Sequence, residues 1–179
     1  MQLSALIKQK SYEKIEFLLR RHPITFIPIL ILFIILMFVP YAVYFLLNNI
    51  YPQILFGNIM HPILVLGASI YFLSIYLFFY AKFIDFYLDI WIVTNDRIVD
   101  IEQHGLFSRT ISELDLYRIQ DVTVNVSGFF HTIFNFGDLA IKTASSNTHI
   151  VFYNISNPNQ VREGLIRLSE EDLKYHHQN

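Results

Sequence analysis

The sequence predicts a membrane α-hairpin followed by a β-rich antiparallel domain that ends in one helix. Three observations predict it. No Asp, Glu, Lys or Arg occurs from Pro23 to Ala81. After Lys82 the apolar residues change to a period of two, and a single amphipathic stretch closes the chain.

The uncharged run defines the hairpin. A charged side chain at the centre of a bilayer costs about 2.5 to 3.5 kcal/mol, so a long stretch without one is the composition that lipid selects. Crossing a hydrocarbon core of about 30 Å takes roughly 20 apolar residues, which makes the run long enough for two spans, at about 24–47 and 62–81. Asn48, Asn49, Pro52, Gly57, Asn58 and His61 supply the turn chemistry between them. His61 is the only histidine of the run, and it reads as the polar end of a span. Pro62 suits the first turn of a helix, whereas Pro40 lies deep in the first span and should remove a backbone hydrogen bond there. Tyr41, Tyr44, Tyr51, Tyr71, Tyr76 and Tyr80 lie partly near the expected interfaces, and those of mid-span depth need a hydrogen-bond partner within the protein or between protomers.

Residues 1–22 carry a net charge of +3 and the loop between the spans carries no basic residue, so the N-terminus is expected in the cytoplasm. Two spans return the chain to that side, which places residues 82–179 there as well. The expected domains are therefore a basic N-terminal helix over 1–22, two transmembrane helices within 23–81, and a cytoplasmic domain over 82–179. A cleaved signal peptide competes poorly, because the apolar run is too long and begins too late. Residues 82–179 carry a net charge of −5. That balance argues against nucleic acid, whose binding rests on neutralised phosphates. The chain has no cysteine, which excludes disulfides, thiol nucleophiles and cysteine metal sites.

Within the last part, Phe86, Leu88, Ile90 and Ile92 alternate with Tyr87, Asp89, Trp91 and Val93, and Asn95-Asp96 turns the chain into Val99 and Ile101. His104-Gly105 leads to a strand over Leu106 to Leu114, and Val122, Val124 and Val126 make the next run. Phe136 to Thr143 and Thr148 to Ile155 form a hairpin across Ala144 to Asn147. Successive strands with no helix between them make an antiparallel sheet or barrel. Asn157 and Pro158 then open a helix with Val161, Leu165 and Leu168 on its apolar face, and a frayed tail is expected after Asp172. Trp91, the one tryptophan, is expected in the core.

The runs WIVTNDRIV from Trp91, GLFSR from Gly105, LYRIQDV from Leu116, FGDLAIKT from Phe136 and NPNQV from Asn157 resemble the bacterial PH-like family, also called the bacterial membrane-flanked domain. The resemblance covers about the last 90 residues, and the preceding pair of spans is similar to that family's layout. It implies a PH-like, strongly bent antiparallel barrel of about seven strands capped by a C-terminal helix, held at the cytoplasmic face of a bacterial membrane. It brings no catalytic residue with it.

No nucleophile elbow, Gly-rich phosphate loop or H-E-x-x-H motif is present, so no catalytic, cofactor or metal residues are assigned. The His176-His177 pair reads as part of a tail. Two features remain as candidate contacts. Arg109, Arg118 and Lys142 either gather on an anionic lipid head group or acidic partner, or pair locally with Glu113, Asp115 and Asp121. Phe129 and Phe130 open a run to Phe136 that is either a core plug or a patch facing membrane or partner. The need of a small barrel for bulky filling favours the core. The expected role is that of a membrane-anchored scaffolding or binding protein without catalysis. The alternative is an accessory subunit of a transport or export assembly. Expected partners are the lipid bilayer, anionic head groups or another membrane protein, and a second copy of the chain.

Overall fold

The computed structural model describes residues 9–10, 12–52, 57, 59–143 and 149–177. It divides into two compact units, residues 26–84 and the remainder on either side of them.

The first unit is the apolar pair. After a short 3-10 turn at Pro23–Phe26, helix α1 runs Ile27–Ile50 and α2 runs Met60–Leu88. Both are long and apolar enough to cross a membrane, and most of their side chains are exposed. Pro40 lies inside α1. Because a proline lacks an N–H, the carbonyl of Leu36 loses its helical donor, and the Tyr71 hydroxyl of α2 donates to that oxygen instead at 3.1 Å. The Tyr71 hydroxyl thus serves the carbonyl that Pro40 leaves without a donor. Phe33 stacks on Phe79 at 4.2 Å between ring centroids and ties the same two helices further along.

At 29 residues α2 is about 44 Å long, well beyond an expected span. It runs through Phe86 and Leu88, where alternation suggested a strand. The apolar residues around Phe83, Ile84 and Phe86 suit either period, and helix propagation from a strongly helical segment decides it.

The second unit has β1 (Ile15–Arg20), β2 (Ile90–Thr94), β3 (Arg97–His104), β4 (Ser108–Asp115), β5 (Ile119–Asn125), α3 (Phe129–Ile133), β6 (Phe136–Thr143), β7 (His149–Ser156) and α4 (Pro158–His177). The strands form an antiparallel sheet in the order β1-β2-β3-β4 and a second in the order β5-β6-β7. They are not closed into a barrel. A backbone bridge between Arg21 and Ile155 joins β1 to β7 at one edge, and a 3-10 turn at Leu116–Arg118 carries the chain from β4 to β5.

The expected helix over residues 1–22 and the boundary at residue 82 are both corrected by β1. Ile15–Arg20 pairs with Thr94–Ile90, so the unit begins before the apolar helices and resumes after them. Leu19 and Phe17 face the core, and the Phe17 ring lies so near α4 that a Cβ on Gly164 would sit 2.5 Å from it. Part of the N-terminal expectation, and the turn across Ala144 to Asn147, lie outside the described residues.

The core sits between the two sheets under α4. Trp91, Val93, Ile98, Leu116, Leu139, Ile141, Phe152 and Leu165 are buried in it, and Trp91 packs on Phe152 at 5.4 Å. The opposite face of the first sheet holds a smaller cluster of Ile92, Val99 and Ile101. Helix α4 starts where expected, with Asn157 at a left-handed φ of 49° and its carbonyl accepting from the Gln160 N–H. The Asn157 side chain does not cap the helix; it accepts from the Asn135 amide at 2.6 Å. The backbone is helical to His177 rather than frayed after Asp172.

Candidate functional site

Strand direction assigns each loop to one of two ends of the PH-like unit. At the first end the chain leaves through Arg21 to Pro23 and returns through Asp85 to Asp89. The β3–β4 tip also lies there, since Ile90 is paired with Ile101 and Arg20 with Ile90. So does the β5–β6 connection: Arg21 bridges Ile155, whose register partner is Gly137 at the start of β6. The Asn95-Asp96 turn and the β4–β5 connection lie at the other end.

The junction end has a polar interior. Asp89, Trp91 and Val93 share one face of β2, and Asp100 is the register partner of Trp91. Arg21 forms an ion pair with the buried Asp89 at 2.6 Å, and the Asp89 carboxylate also accepts the Gln103 N–H at 2.8 Å. One turn earlier on α2, Asp85 accepts the Gly105 N–H at 2.6 Å, where Gly105 takes the φ of 68° that the tip requires. The two carboxylates thereby fasten the β3–β4 tip to the point where α2 becomes β2. Asp100 is buried beside them. Burial is the largest cause that pushes its carboxyl up to about 7, the charges of Glu102 and Asp89 add to this, and the Trp91 N–H dipole, which closes no hydrogen bond with it, and the positive charge of Arg21 oppose it. The Asp100 Oδ1, Trp91 Nε1 and Arg21 Nε atoms are buried without a hydrogen-bond partner. This arrangement fixes three strands together. It does not supply a nucleophile.

Around that interior the same end is apolar and open. His22 stacks on Phe136 at 4.9 Å, and His131 lies 4.3 Å from the same ring while meeting the Asn154 side chain at 3.2 Å. Phe136, the first residue of β6, is buried beneath His131 of α3, whose large apolar side chains are exposed. Phe129 is 74% exposed, Phe130 63% and Ile133 57%. At the β3–β4 tip Phe107 is 99% exposed. A cleft of about 420 Å³ opens at the same end between Leu18, Arg20, Arg21, Pro23, Phe86 and Tyr87, with the Arg20 guanidinium 5.1 Å from the Tyr87 ring.

The expectation that the Phe129–Phe136 run plugs a barrel is overturned for all but its last residue. With two unclosed sheets and a helix on top, the core is made by Trp91, Phe152 and aliphatic residues, and Phe129 and Phe130 stay outside it. The basic candidates do not converge. Arg109 lies opposite Gln103 beside the β3–β4 tip, and Arg118 lies beyond the far end of β4, about 20 Å away along the strand. Arg118 pairs with Asp115 at 3.2 Å, as the local reading of the charges has it. Lys142 belongs to the second sheet, opposite His149 and beside Asp121 at the far end. Of the five candidate contacts, Arg109, Phe129 and Phe130 thus share the junction end. Phe107 and the partly buried Arg21 were not singled out by the sequence, whereas Asp89 and Asp100, which the spacing of the Asp85/Asp89 and Asp96/Asp100 pairs reads as solvated edges, are buried. The signal for Phe107 was an apolar ring beside a glycine turn.

At the opposite end, charge is paired. The Glu13 side chain is fully buried, and Arg97 holds both its oxygens at 3.0 Å while also reaching Glu113 at 2.6 Å. Burial pushes the Glu13 carboxyl up, but the Arg97 guanidinium and the Lys10 N–H outweigh it and hold the group below its ordinary range. Lys10 pairs with Asp96 at 2.6 Å. Among the described residues no group of three His, Asp or Glu is placed to hold a metal ion.

No curated protein matches the chain. Among solved structures, a DUF1696 family protein with a pleckstrin-homology domain from Shewanella loihica PV-4 is similar at 15% identity, over 45% of this chain and 70% of that one, with a TM-score of 0.38. The bacterial PH domain family matches residues 17–169, from within β1 to within α4 and across both apolar helices. By that match, over most of its length, the chain belongs to the bacterial PH domain family.

Proposed function

We propose that the protein is a non-catalytic docking module anchored in a bacterial inner membrane, with its PH-like unit presented at the cytoplasmic face. One observation carries this reading. The adjacent strands β1 and β2 are continuous with the two apolar helices, so the unit is tied to them at two points of its own sheet. If the helices cross a bilayer, the pairing of Arg20 with Ile90 requires both crossings to begin and end on one side. The basic residues of the first 22 positions favour the cytoplasm as that side. Two attachments also restrict rotation of the unit about the membrane normal. That suits a surface that offers the same face to every partner.

Since the chain has no cysteine, single cysteines test the topology directly. Ile59→Cys between the helices should label from outside intact cells, and Asn159→Cys on α4 only after permeabilisation. Equal labelling of both from outside overturns the reading. Purification in mild detergent separates docking from the alternative of an accessory transport or export subunit: a fixed set of foreign membrane subunits that stays bound favours the alternative.

A further inference from the structure

We propose that the open aromatic tips Phe107, Phe129 and Phe130 are inserted in the interface of the same bilayer that holds the helices, so that the PH-like unit lies on lipid by its junction end. The inference rests on the membrane reading of α1 and α2 and adds a lipid contact made by the unit itself.

Four observations support it. First, strand register brings the β3–β4 tip and the β5–β6 connection to the end where the chain leaves and returns. Second, the covalent distance is short: Arg21 precedes α1 by a 3-10 turn, and Asp85, which fixes the Gly105 tip, is itself a residue of α2. Third, both tips lack formal charge. No Asp, Glu, Lys or Arg occurs from Val126 to Gly137 or from Gly105 to Ser108. Fourth, exposed phenyl rings on short tips, next to basic residues such as Arg20 and Arg109, match the composition of interfacial anchors. There apolar rings enter the acyl boundary and cations remain among phosphates. Open apolar rings gathered at one end of a unit mark a contact surface, and a lipid interface rewards them.

Spin labels on the full chain, reconstituted alone into vesicles of phosphatidylethanolamine and phosphatidylglycerol, test the proposal by collision with oxygen, which concentrates in lipid, against a water-soluble nickel complex. Labels at Phe107→Cys and Thr132→Cys should collide with oxygen several-fold more than with nickel, and a label at Gln120→Cys on the far end of β5 should show the reverse. A label at Ile35→Cys, midway along α1, reports the anchor separately. If that label is in lipid while those at 107 and 132 are as wet as Gln120→Cys, the tips do not insert and the proposal fails with the anchor intact. If the Ile35→Cys label is itself wet, the membrane reading fails. Shielding of the tips that disappears when protein is diluted in lipid assigns them to a second copy, and shielding confined to native membranes assigns them to a protein partner. Either result overturns the lipid assignment.

Discussion

The two ends of the PH-like unit solve opposite problems. At the Asn95-Asp96 end charge is paired: the buried Glu13 meets Arg97, and the exposed Lys10 meets Asp96. At the junction end Asp89 and Asp100 are turned inward, while phenylalanine rings stand in the open. The difference teaches that one unit can pair its charges at one end and leave apolar rings open at the other, and the open rings lie at the end through which the chain runs into the apolar helices.

The strongest way to break the comparison is to remove the charge pairing at the far end. Arg97→Ala leaves the Glu13 carboxylate buried without its counter-ion and should destabilise the unit by about 3 to 5 kcal/mol, measured by urea unfolding of the full chain in detergent. The pH dependence has a definite sign. The Glu13 carboxyl titrates below its ordinary 4.5 in the folded chain, so its stabilising contribution is present above pH 4.5 and is lost as pH falls through the folded value. Arg97→Ala should abolish that acid-induced loss.

Asp100 at the junction end should behave in the opposite sense. Its folded pKa of about 7 lies above the ordinary 3.8, so the folded state holds a proton that the unfolded state has released, and stability should decline as pH rises from about 4 to 7. Asp100→Asn should therefore stabilise by roughly 1 to 3 kcal/mol at pH 8 and have little effect at pH 4. Thermal unfolding at the two pH values checks this. Equal shifts at both would mean that the carboxyl is not the strained group.

What the sequence disclosed and what it withheld divide along the same physical line. The apolar helices, the strands from β3 to β7 and the terminal helix were legible because each follows a local period. Strand β1 was not: Leu18 and Leu19 break its alternation, Glu16 and Arg20 suit a helix equally well, and its partner β2 lies beyond both apolar helices. The β2 start was misplaced because Phe86 and Leu88 satisfy either period. The junction cluster needs β1, β2 and β3 together, so Arg21 meeting Asp89 had no local signature. Phe129 and Phe130 were visible as residues but misassigned to the core, because a closed barrel was expected and the core between the two sheets is made without them.

The pairing of a polar group left without its usual partner recurs in the apolar helices and predicts a smaller effect there. Tyr71→Phe leaves the Leu36 carbonyl without a donor and should weaken the helix pair by about 1 kcal/mol, read by denaturation in bicelles. The cost depends on Pro40. In a Pro40→Ala background the restored backbone N–H can serve Leu36 itself, so Tyr71→Phe should then cost little. Additive losses in the two backgrounds would show that the hydroxyl does not compensate for the proline.

The smallest expected effect is the sharpest test of the junction end. Phe129→Ser combined with Phe130→Ser removes two rings that contact each other edge-on at 5.7 Å but are otherwise largely exposed. Buried rings exchanged for hydroxyls cost several kcal/mol each, whereas exposed substitutions stay within about 0.5 kcal/mol. The unfolding midpoint of the double variant in detergent should therefore match that of the parent chain, with Phe136 still seated between His22 and His131. A large loss would return these rings to the core and dissolve the asymmetry between the two ends. An unchanged midpoint would show that the fold does not need them, so their apolar character would have to serve a contact outside the unit.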